Sequence, residues 1–103
     1  MKRTKNMTYE NTTESRELFL YATNDGELYR KITTPVIEGM KKKAAKGIYD
    51  KDKAVDAFYR VATEGSNKYY KDYGYRFSVG DRWTAAVDME KYYREEIFSI
   101  FKT

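Results

Sequence analysis

The chain contains no histidine and no cysteine, one proline and six glycines in 103 residues. Lacking histidine, it has no side chain whose unperturbed pKa falls near neutrality. Lacking both residues, it has no usual zinc ligand set and few ways to pair a nucleophile with a base. The absence of cysteine excludes a disulfide scaffold and suits a reducing, intracellular compartment. Leu18-Phe19-Leu20-Tyr21-Ala22 is the longest apolar stretch. It is far too short to span a bilayer, so no membrane partner is expected. No secretory pattern follows Met1. No phosphate loop, nucleophile elbow or dinucleotide fingerprint occurs. The expectation from these gaps is a protein without catalytic residues, metal or cofactor.

What is abundant is aromatic and charged. Eleven tyrosines accompany 20 lysines and arginines and 16 acidic residues, for a net charge of +4. Hydrophobic residues make up 41% and charged residues 35%, the balance of a globular domain toward the polar end of that class. A positive charge this mild permits an anionic partner without requiring one.

Apolar spacing predicts an all-α single domain, four to five helices packed as a small bundle over residues 12–103, preceded by a flexible basic arm over residues 1–11 that carries Lys2, Arg3 and Lys5. Thr12 or Thr13 caps a first helix, and Asn24-Asp25-Gly26 breaks it, with Asn24 or Asp25 capping the next. Leu28, Ile32, Val36, Met40, Ala44 and Ile48 then form one row at four-residue spacing. Pro35 interrupts that row. It either kinks the helix or starts a new one after Thr33-Thr34, and the break is favoured because an interior proline costs ~3 kcal/mol. Gly47 ends this segment. Asp50 caps a long helix with Val55, Phe58, Tyr59, Ala62, Ser66, Tyr69 and Tyr73 inward, and Gly74 stops it. Residues 75–77 read as a short extended piece. Ser78 and Asp81 have capping-box spacing before a last helix that buries Trp83, Ala86, Val87, Met89, Tyr93, Ile97 and Ile100.

Two clusters are candidates for binding. Tyr70, Tyr75, Arg76 and Phe77 belong to a run that interleaves rings with cations, suited to a protein interface or to stacking with single-stranded nucleic acid. The plain alternative buries Tyr69 and Tyr73 and leaves the rest as ordinary surface. Lys41, Lys42 and Lys46, beside Lys43, offer phosphate contacts, but consecutive residues fan through ~200° of a helix and equally suit a solvated helix end. Asp50, Asp52 and Asp56 lack the glycine and glutamate of a calcium loop, so they read as helix-start acidity. Glu90, Glu95 and Glu96, with Lys91 and Arg94, read as a solvated helix face.

The run 17–30 (Glu-Leu-Phe-Leu-Tyr-Ala-Thr-Asn-Asp-Gly-Glu-Leu-Tyr-Arg), Pro35-Val36-Ile37-Glu38 and Lys46-Gly47-Ile48-Tyr49-Asp50-Lys51 resemble small accessory proteins of bacteriophages and related mobile elements. The likeness extends over most of residues 14–98 as a pattern of helix and turn residues and transfers no functional residue. It implies a class of catalytically empty proteins that bind and redirect host machinery, including nucleic-acid-targeting defence complexes, in the cytoplasm of a bacterial host. The expected partner is therefore a host protein or ribonucleoprotein. Direct nucleic-acid binding and a role in virion structure or assembly are the alternatives.

Overall fold

The computed structural model describes residues 12–99. The basic arm and Ile100 lie outside them. Helix α1 spans Thr13–Asn24, α2 is one turn at Gly26–Leu28, a π-helical turn covers Tyr29–Thr33, and α3 spans Thr34–Ala45. Helices α4 (Lys51–Tyr73) and α5 (Val79–Ile97) complete an all-α bundle, with no strand among the described residues. The helices form a slab of 41 × 38 × 18 Å. At a helix diameter of about 10 Å, that is two layers thick.

The ends are set by local chemistry. Thr12 and Ser15 exchange hydrogen bonds in a capping box, and Ser78 and Asp81 do the same at the start of α5. The Thr12 hydroxyl also donates to Asp81 Oδ1 at 3.3 Å, tying the two helix starts together. Of the two candidates at the first break, Asp25 is the cap: its carboxylate accepts from the Leu28 amide at 2.9 Å. Asp50 caps α4. Gly47 and Gly74 both take φ 74°, the left-handed conformation that ends a helix and costs other residues a steric penalty. Residues 75–77 form no strand pairing.

Pro35 does not split the second segment, contrary to the expected break. Thr33 and Thr34 remain right-handed helical, and the Thr34 amide donates to the Tyr29 carbonyl, five residues back. Widening to a π-turn accommodates a residue that has no amide to donate and whose ring would crowd the preceding turn. The extra residue also shifts the helix phase. The buried row therefore runs Leu28, Thr33, Ile37, Met40, Ala44, while Ile32 and Val36 are only half-buried and Ile48 is exposed beyond the helix end.

Helices α4 and α5 make the most extensive contact. Ala54, Ala62, Ala85 and Ala86 of these two helices are all buried, small residues of the kind that let backbones approach closely, and Phe58 stacks on Tyr93 across the contact at 5.6 Å. On α4 the buried stripe is Ala54, Phe58, Val61, Ala62, Gly65 and Ser66. Val55 and Tyr59 sit at its border, and Tyr73 leaves the core altogether. Trp83 is half-buried and stacks on Tyr59 (3.9 Å between ring centroids), so it is a flank residue and not the central anchor its size suggested.

Candidate functional site

A cluster of aromatic rings gathers where α1 lies beside the C-terminal end of α4. Tyr69 is its hub, with ring centroids 5.0 Å from Tyr21, 4.7 Å from Tyr73, 4.9 Å from Phe77 and 6.4 Å from Tyr75. Most of these pairs meet edge to face, the arrangement that ring quadrupoles favour. Tyr73 and Tyr75 remain 68% and 46% exposed. Tyr70, 42% exposed, carries the Arg76 guanidinium 3.9 Å above its ring, a cation–π contact that holds both side chains in place.

The structure thus leaves Tyr70, Tyr75 and Arg76 exposed, Tyr75 against the Tyr69 hub and Arg76 over Tyr70, and moves Phe77 inside. Phe77 is 5% exposed and packs beneath Tyr69 and Tyr75, so it supports the surface without forming it. Tyr73, expected in the core, is among the most exposed rings. The reason is geometric: α4 has 23 residues, roughly 34 Å of helix, and its last turn projects past the core stripe.

The lysines lie elsewhere. Lys41 pairs with Glu38 at 3.6 Å and is half-buried, whereas Lys42 and Lys46 are exposed. Lys46 stands just before the first turn of α4, and Arg76 lies just beyond its last. The two candidate clusters therefore occupy opposite ends of a helix about 34 Å long.

Carboxylates frame the tyrosine face. Tyr21 donates to Asp72 Oδ2 at 2.9 Å, and burial together with that bond raises the phenol to about 12. Tyr69 donates to Glu17 Oε2 at 3.4 Å, and burial and then the Glu17 charge raise it as well. Two shallow hollows of about 350 and 340 Å³ share Glu17 and follow the outer side of α1. At the far end Lys68 binds Asp25 at 2.8 Å and Glu27 at 2.9 Å, with Lys31 on the other Glu27 oxygen. The Lys68 hydrogen bond is the main reason both carboxyls are held low, Glu27 at about 2. This cluster pins the turn before α2 against α4.

Sequence reasoning missed Glu14, Glu17, Leu20 and Tyr21 as parts of this surface. The signal was present: with Thr13 and Asn24 they share an arc of about 120° on α1, opposite the buried Ser15, Leu18 and Ala22.

Glu90 is a correction of another kind. It is 0% exposed, not part of a solvated face. Tyr49, from the loop before α4, donates to Glu90 Oε2 at 2.8 Å, and Arg94 donates through Nε at 2.9 Å and through a terminal nitrogen to the other oxygen. Burial pushes the carboxyl up. The Arg94 and Tyr49 hydrogen bonds outweigh it and hold the group below its ordinary range. With every donor accounted for, this is a latch between loop and helix.

Among the described residues, no group of three or more acidic side chains could hold a metal, and no helix is long and apolar enough to cross a membrane. No protein-family model, curated protein or solved structure matches the chain.

Proposed function

We propose that this chain is a non-enzymatic binding protein that engages another macromolecule through the tyrosine face at the end of α4. One observation carries the reading: Tyr70, Tyr73 and Tyr75 are all substantially exposed at the end of α4, with Tyr75 packed on the buried Phe77, Tyr73 on Tyr69, and Tyr70 held by the Arg76 cation–π contact. Rings fixed in this way lose little conformational entropy on binding, which is why tyrosine and arginine recur as anchors at protein interfaces. The resemblance to phage and mobile-element accessory proteins supplies the rest of the proposal. The partner is a host protein or ribonucleoprotein of the bacterial cytoplasm, a nucleic-acid-targeting defence complex being the kind whose activity would be blocked.

Direct nucleic-acid binding draws less support. Lys46 and Arg76 stand at opposite ends of α4, and the tyrosine face is bordered by Glu14, Glu17 and Asp72. Phosphates approaching Tyr69 and Tyr75 would meet repulsion from Glu14 and Glu17, and the Arg76 cation lies over Tyr70 instead.

Paired measurements of binding and melting test the proposal. Tyr70→Ala, Tyr75→Ala and Arg76→Ala should each weaken capture of a stoichiometric partner, by about 2 kcal/mol at a true anchor, with the melting temperature unchanged. Phe77→Ala and Phe58→Ala should lower the melting temperature instead, because core aromatics cost about 3–5 kcal/mol on truncation. Undiminished capture by all three surface variants would overturn the assignment.

A further inference from the structure

The hollows along α1 differ in sign from the molecule that carries them. The chain has net charge +4. Yet the charged residues lining both hollows are Glu14, Glu17 and Asp25, with no lysine or arginine among them. Arg16, the one cation of α1, lies off this arc, and its charge acts on Asp88 of α5. Asp25 is satisfied by Lys68. Glu17 receives only the long bond from Tyr69, and Glu14 takes part in no ion pair among the described residues. Among the described residues, two carboxylates therefore stand beside the rings of Tyr69 and Tyr75 without a cation within ion-pair distance. That combination suits a guanidinium or ammonium group, which gains a charge partner from the carboxylates and a quadrupole from the ring faces. The same combination repels phosphate.

From this charge complementarity we propose that the groove binds a basic segment of the partner protein, laid along α1 with arginine or lysine side chains against Glu14, Glu17 and Tyr75. The hollows follow the helix from Thr13 to Asp25, about 18 Å at 1.5 Å per residue, the reach of roughly five extended residues. This inference deepens the binding-protein reading and rests on it: the rings supply contact area, and the carboxylates select the sign of what docks.

The test is a titration of the isotope-labelled full chain with the peptide acetyl-Gly-Arg-Gly-Arg-Gly-amide, followed by NMR. Shift changes should cluster at Glu14, Glu17, Leu20, Tyr69 and Tyr75. The double variant E14Q/E17Q should bind about tenfold more weakly at low salt, with unchanged melting. Equal affinity for the double variant would overturn the proposal, as would shifts scattered over Asp50, Asp52 and Asp56. A glutamate version of the peptide, or oligothymidylate, moving the same resonances would also overturn it. The chain's own Lys2, Arg3 and Lys5 are the competing occupant. If K2A/R3A/K5A alone moves the Glu14 and Glu17 resonances without peptide, the groove is filled from within and the partner proposal fails. The two readings fail separately. Partner capture that survives E14Q/E17Q but not Tyr70→Ala keeps the face and removes the basic segment. Peptide binding by a chain that captures no partner removes the binding-protein reading itself.

Discussion

Glu90 shows how far one residue's role depends on what folds over it. Its carboxylate is fully buried and shared between Tyr49 and Arg94. Arg94→Met should cost about 1–3 kcal/mol at neutral pH, since a buried carboxylate would be left with one neutral donor. Without Arg94 the carboxyl titrates above its unfolded value, so stability should recover as the pH is lowered toward 5 and fall again as it rises. Adding Glu90→Gln should remove that dependence; chemical denaturation across pH reads both. Thr33 presents the opposite case. Its hydroxyl is buried in the π-turn with no hydrogen-bond partner. Thr33→Val should therefore be neutral or stabilising by up to about 1 kcal/mol in the same assay, where a hidden partner would make it destabilising.

At the scale of elements, glycines separate contact from propensity. A Cβ on Gly65 would stand 3.0 Å from Ala22 Cβ and 3.5 Å from a Leu28 methyl, so this glycine sets how closely α1 meets α4. Gly39, within α3, would meet nothing within 4 Å. Gly65→Val should lose about 1–3 kcal/mol by overpacking, whereas Gly39→Ala should gain up to about 1 kcal/mol from helix propensity alone. Thermal melts of the two variants should move in opposite directions. Helix starts and stops were legible in the chain because they depend on neighbours in sequence: Thr12, Asp25, Asp50, Ser78 with Asp81, Gly47 and Gly74 all act as their residue types suggest. The π-turn was not legible. Its effect, moving burial from Ile32 and Val36 to Thr33 and Ile37, arises from one inserted residue that a four-residue row cannot reveal. The site was half legible for a related reason. Tyr70, Tyr75 and Arg76 stand close in sequence, but Glu14, Glu17 and Tyr21 reach them only through the packing of α1 on α4.

Across the whole molecule, charge and phenol chemistry bound the pH range of the fold. Asp25 and Glu27 titrate below their ordinary values when folded. Their stabilisation is present above pH ~4 and is lost as the pH falls toward Glu27's folded value of about 2. Lys68→Met should flatten that acid limb of a denaturation profile. Tyr21, Tyr49 and Tyr93 are shifted the other way, all raised chiefly by burial, with Tyr21 at about 12. Their contribution is complete below pH ~10 and is lost as the pH rises through the folded values. In an ultraviolet titration these phenols should ionise late, together with unfolding; ionisation of all 11 tyrosines in one step near 10 would contradict the packing.

The exposed rings fall into groups that share no ring contact: Tyr70, Tyr73 and Tyr75 at the end of α4, and Tyr92 on α5 beside Phe19. A photo-reactive phenylalanine placed in turn at Tyr70, Tyr73, Tyr75 and Tyr92 of the full chain, in cells that produce it, compares these groups directly. One discrete adduct is expected from the three α4-end positions and none from Tyr92. Equal adducts at all four positions, or an adduct at Tyr92 alone, would contradict this expectation.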